Sequence, residues 1–69
     1  MEVLEKFGKK VALLRKQKGI SQEKFALMIG IDRTYYSSIE NGKHSISLEK
    51  IYTIAQGLNI TLEELFKDI

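Results

Sequence analysis

The 69-residue chain has no cysteine and no proline, and its only histidine is His44. Without cysteine, neither a disulfide framework nor a thiolate metal site can form. A single histidine rules out a multi-histidine metal site within one chain. One histidine and no cysteine also leave no combination of nucleophile, base and orienting group to assemble. The chain is therefore not expected to be an enzyme, and no metal or cofactor is expected. Gly42 and Gly57 are isolated, so there is no glycine-rich phosphate loop. Glu63 and Glu64 are adjacent and so do not face each other as a catalytic pair. No uncharged run is long enough to span a bilayer, and the first residues lack the apolar core of a signal peptide. The expected location is the cytoplasm.

The net charge of +2 is small, but it is unevenly distributed. Residues 1–20 set Lys6, Lys9, Lys10, Arg15, Lys16 and Lys18 against Glu2 and Glu5, a balance of +4. Residues 21–44 balance to zero, and residues 45–69 to −2. Such a gradient suits a domain that turns one face toward a polyanion; it is equally what a solvated basic first helix would give. A domain of this size buries only about 60% of its unfolded surface. It needs well-idealised packing or a partner subunit to be comfortably stable.

Glycines punctuate the chain. Gly19, Gly30, Gly42 and Gly57 each follow a segment of helical apolar periodicity, where a helix would end in a left-handed residue. Ser21, Asp32, Ser47 and Thr61 follow as candidate N-caps, and Thr61 with Glu64 forms a capping box. The pattern predicts five helices: Val3 to Lys18, Gln22 to Ile29, Arg33 to Asn41, Leu48 to Leu58 and Leu62 to Lys67. Nothing alternates long enough for a strand. The expected fold class is all-α, one domain over residues 1–69.

Residues 21–41 carry the strongest functional signal. Two helices of under ten residues flank Gly30-Ile31-Asp32. Gly30 permits a sharp turn, Ile31 is an apolar plug, and Ala26 allows the second helix to approach the third. This is the composition of a helix-turn-helix, whose later helix enters the DNA major groove. On the third helix, Tyr36 and Ile39 share the core face. Arg33, Thr34, Ser37, Ser38 and Asn41 fall on the other side. Arginine grips guanine O6 and N7 with two hydrogen bonds, and serine and threonine bond base edges or phosphates. The face is either a recognition surface or an ordinary wet helix flank. It lacks the exposed aromatic or aliphatic anchors of a protein-binding surface, which weighs against the alternative of an antitoxin-like interaction module without specific DNA binding.

Ser21-Gln22-Glu23-Lys24-Phe25-Ala26, Gly30-Ile31-Asp32 and Ile39-Glu40-Asn41-Gly42-Lys43 resemble the Xre family, which includes Cro and the phage lambda-type repressors. Asp32 to Glu40, followed by Ile46-Ser47-Leu48, looks closest to the controller proteins of restriction-modification systems. The resemblance implies a compact five-helix DNA-binding domain and a transcription regulator that binds a palindromic operator as a homodimer. It implies base contacts from Arg33, Thr34 and Ser38, to which the polar face adds Ser37. It implies backbone contacts from Gln22, Tyr35, Asn41 and Lys43, and an ion pair between Arg15 and Glu40. His44 stands where many controller proteins carry a phosphate-binding arginine, and is either a weaker backbone contact or an exposed loop residue. Tyr36 departs from the family's usual isoleucine or valine, so its hydroxyl must reach solvent or a partner. No small-molecule ligand is expected.

The last two helices, about residues 47–67, hold more apolar residues than one small core needs. They are the expected dimerisation surface, with Leu65 or Phe66 and Ile60 or Ile69 packing across a two-fold axis. The other reading is that these residues cap the chain's own core.

Overall fold

The computed structural model describes all 69 residues and contains five helices: α1 (Glu2–Gln17), α2 (Gln22–Ile29), α3 (Arg33–Glu40), α4 (Leu48–Leu58) and α5 (Leu62–Phe66). No strand is present. Four of the five helices start at the side chains expected to cap them. Ser21 accepts from the Lys24 amide, Asp32 from Tyr35, Ser47 from Lys50 and Thr61 from Glu64. Each bond satisfies an amide that has no partner within its own helix. Glu64 returns the favour to the Thr61 amide at 2.9 Å, completing the capping box.

At the helix ends, Gly30 takes the left-handed conformation at φ 70°. Gly57 does not behave as expected. It lies inside α4, and Asn59, at φ 58°, provides the left-handed exit. The reason is packing: a Cβ on Gly57 would come within 2.5 Å of the Ile29 Cγ2 and 3.1 Å of the Phe25 ring. Its missing side chain lets α4 lie close against α2.

The core draws on every helix. Phe7 and Val11 come from α1, Phe25 and Ala26 from α2, Tyr36 and Ile39 from α3, Ile54, Ala55 and Leu58 from α4, and Leu65 from α5. The Phe25 and Tyr36 rings meet edge to face, their centroids 5.5 Å apart, a geometry that contributes about 0.5–1.5 kcal/mol beyond the buried area. Leu65 has 0% exposure. It is a core residue of this chain and is not available to a second copy, which corrects the expectation that it packs across a dimer axis. Ile31, the plug of the turn, is half-buried against the same cluster. No helix is long and apolar enough to cross a membrane.

Candidate nucleic-acid interface

The two sides of α3 divide cleanly. Tyr36 and Ile39 are buried, whereas Arg33 and Thr34 are exposed and Ser37 is half-buried. Arg33, Thr34 and Ser37 line one shallow polar hollow on the outside of the domain. Asn41 is exposed just beyond the helix. Ser38 is half-buried, and its hydroxyl donates to the Tyr35 carbonyl at 2.6 Å. Its proton is therefore spent within the helix, and toward a base it offers only acceptor lone pairs.

Behind α3 lies a buried polar cluster. Arg15 donates to Glu40 through Nε (2.7 Å) and Nη2 (3.1 Å), and through Nη1 to the Ile20 carbonyl (2.6 Å). Glu40 also accepts from Gln22 Nε2 at 2.8 Å and from the Tyr36 hydroxyl. The cluster thus ties α1, α2 and the end of α3 together at one carboxylate. Burial on its own would push the Glu40 carboxyl up. The hydrogen bonds from Arg15, Tyr36 and Gln22 outweigh it and hold the group below the usual carboxylate range. Burial, reinforced by the bond to Glu40, pushes the Tyr36 phenol up. The bond to Glu40 raises Arg15. A buried charge is tolerable only when paired and fully hydrogen-bonded, and no buried side-chain nitrogen or oxygen lacks a partner. Tyr36 thereby finds its partner inside the protein. Gln22, named from sequence as a backbone contact, has one end of its amide committed to Glu40.

The rim beside α3 is aromatic and basic. The Tyr35 ring lies 5.9 Å from the His44 ring, and its hydroxyl donates to the Ser45 carbonyl at 3.4 Å. The Lys50 ammonium stands 5.7 Å from the Tyr35 ring centroid, within reach of a cation–π attraction. Lys43 and His44 are exposed, and the Lys43 amide donates to the Ser38 carbonyl at 3.0 Å, closing the end of α3. None of Arg33, Lys43 and Lys50 is held in an ion pair. Lys50 was not legible as a member of this group. It belongs to α4, and only the packing of α4 beside the loop brings it to Tyr35.

The turn Gly30-Ile31-Asp32 sits between two eight-residue helices, α2 and α3. The helix-turn-helix family profile matches residues 11–65. The chain belongs to the helix-turn-helix family, of the Xre-like type. This helix-turn-helix chain is 58% identical over 65 residues to the control protein C.MunI of a Mycoplasma species, covering 93% of this chain and 88% of that one. It is similar in structure to the restriction-modification controller protein C.AhdI from Aeromonas hydrophila, with a TM-score of 0.92 and 41% identity. That match covers 96% of this chain and 100% of the other. It is also similar to the controller protein C.Esp1396I, solved as a tetramer with its natural 35 base-pair operator. There the TM-score is 0.88 and the identity 28%, over 97% of this chain and 88% of that one.

Away from α3, the helix-turn-helix chain exposes apolar surface on α4 and α5. Tyr52 is 53% exposed and Phe66 41%. Ile60 and Ile69 are half-buried against the core. Tyr52, Ile60 and Leu62 line a groove at the α4–α5 turn together with Gln56 and Asn59. Phe66 stacks on Phe7 with ring centroids 5.6 Å apart.

Proposed function

We propose that this chain is a sequence-specific DNA-binding transcription regulator of the restriction-modification controller type, acting as a homodimer on a palindromic operator. One observation carries the reading: Arg33, Thr34 and the half-buried Ser37 line one open polar hollow on the outward face of α3, while a buried, fully bonded cluster fixes that helix from behind. A rigid helix with a polar, cationic outer face meets the requirement for reading base edges in the major groove. In this reading Arg33, Thr34 and Ser37 contact bases, and Ser38 accepts only. Gln22, Tyr35, Asn41, Lys43 and His44, joined by Lys50, hold the phosphate backbone.

The relatives support the reading. C.Esp1396I binds its natural operator as a tetramer, and C.MunI and C.AhdI are controller proteins. One eight-residue recognition helix spans too few base pairs to single out an operator. Two copies related by a two-fold axis double the readout, with half-sites about one helical turn apart. The α4–α5 surface suits that pairing through Tyr52, Ile60, Phe66 and Ile69. Within the 69-residue domain, residues of about 21–41 read DNA and those of about 47–67 dimerise. The site of action is the cytoplasm, and the function involves no catalysis.

The test is a titration of labelled duplexes at several salt concentrations. A selected operator should bind about a thousandfold or more tighter than a scrambled duplex, with a steep fall in affinity as salt rises. Equal affinity for both duplexes would sink the assignment.

A further inference from the structure

Glu40 is the acceptor for four donors on three helices. Its Oε1 takes Arg15 Nη2 at 3.1 Å and Gln22 Nε2 at 2.8 Å, and its Oε2 takes Arg15 Nε at 2.7 Å and the Tyr36 hydroxyl. A carboxylate only accepts, so only the N–H end of the Gln22 amide can face it. The Gln22 carbonyl must point away. We propose that Glu40 and Tyr36 are positioning residues for DNA binding, which together fix the amide of Gln22 so that its carbonyl and its second N–H face the nucleic acid. The proposal rests on the DNA-binding reading above and adds to it a defined presentation of one side chain.

Gln22 opens α2, is half-buried, and is bonded to Glu40, the last residue of α3. An unclamped amide offers either end to its surroundings, and binding must then select and order one of them. Phosphate oxygens only accept, so a backbone contact uses the remaining N–H. The carbonyl is left for a donor, such as the exocyclic amine of adenine or cytosine. Tyr36 supplies the fourth donor and so pins the carboxylate from the side opposite Gln22. Its ring is fully buried and edge-on to Phe25, so neither the ring nor the hydroxyl touches DNA. Any effect of that hydroxyl on DNA affinity must travel through Glu40. Ordering one side chain on binding costs about a two- to tenfold factor in affinity, which sets the size of the effect.

A double-mutant cycle on operator affinity tests this, with Tyr36→Phe and Gln22→Ala made singly and together. The probe is the tightest duplex selected from a random pool. Tyr36→Phe should weaken binding roughly threefold in the otherwise wild-type chain and leave it nearly unchanged in the Q22A background. Its cost in denaturation midpoint should appear in both backgrounds, since the buried hydroxyl bond to Glu40 is lost either way. An equal loss of DNA affinity in the two backgrounds, or no loss in either, overturns the proposal while leaving the DNA-binding reading intact. A wild-type chain with no preferred duplex overturns both. A measurement on the wild-type chain alone keeps the proposal testable should Y36F fold poorly. Of the two Gln22 side-chain N–H resonances, one should be protected from exchange in the free protein, and the other should shift on adding the duplex. Two equally exchanging N–H groups would contradict the clamp.

Discussion

Gly8 of α1 lies directly against the carbonyl oxygen of Glu40 at the end of α3, with no room for a side chain between them. A Cβ at Gly8 would also come within 2.5 Å of the Ile39 carbonyl. Both obstacles are backbone atoms, which cannot swing aside. Alanine in mid-helix gains about 1 kcal/mol over glycine in propensity. Overpacking costs about 1–3 kcal/mol, and contact with two carbonyls puts Gly8→Ala at the upper end. The variant should therefore be less stable than wild type by urea denaturation. A stabilised variant would show that α3 is not seated on α1 as described.

Loss of the Glu40 charge should strongly destabilise the chain, whether by substitution or by acid. Removing one partner of a buried pair costs about 3–5 kcal/mol, a large part of the roughly 3–10 kcal/mol available to a domain this size. Glu40→Ala should lower the denaturation midpoint far more than it alters base preference. The same group fixes the direction of the pH effect. Its carboxyl is held below its ordinary value in the folded chain. Its contribution is therefore complete above the unfolded value of about 4.3 and is lost as pH falls through the lower folded value. Wild-type stability should drop below about pH 4, and part of that slope should be missing from E40Q. An unchanged midpoint in Glu40→Ala would refute the structural role.

Lys43 lies just past α3, exposed and free of ion pairs. Lys43→Ala should weaken binding nearly equally across all duplexes and reduce the salt slope by about 1, the mark of one lost phosphate contact. Anisotropy titrations at several salt concentrations give that slope. An unchanged slope would remove Lys43 from the interface.

Much of this architecture was legible in the chain itself. Ser21, Asp32, Ser47 and Thr61 cap where their side chains allow, and the apolar spacing of each helix set its buried face. What escaped was whatever depends on how helices approach one another. Gly57 read as a helix end because its spacing matched the other glycines, yet it is a contact point between α4 and α2. Gly8 has no distinguishing sequence context, and only the closeness of α3 explains it. Leu65 and Phe66 are adjacent and both apolar. Periodicity over a five-residue helix could not tell that Leu65 points in while Phe66 stays partly exposed. The bond from Gln22 to Glu40 spans 18 positions, a separation at which side-chain chemistry carries no local signal.

Tyr52 is the sharper probe of the dimer surface. Phe66 stacks on Phe7, so changing it disturbs the monomer. Tyr52 stands 53% exposed on α4, and a charge there leaves the core untouched. In sedimentation at micromolar concentration, wild type should have about twice the 7.9 kDa chain mass, and Tyr52→Glu should have the mass of one chain. A wild-type chain that stays monomeric both free and on DNA would contradict the two-fold model.

The central claim is that the outer face of α3 reads base pairs, with Arg33 at its start. Binding-site selection from a random duplex pool, run in parallel on wild type and Arg33→Ala, tests it most directly. Wild type should enrich a palindrome with half-sites about one helical turn apart. Arg33→Ala should lose preference at one or two base pairs in each half-site, at a cost of about 1–3 kcal/mol in specific binding. Enrichment of the same sequence, with the same preference at every position, would contradict the assignment of Arg33 and of the face it begins.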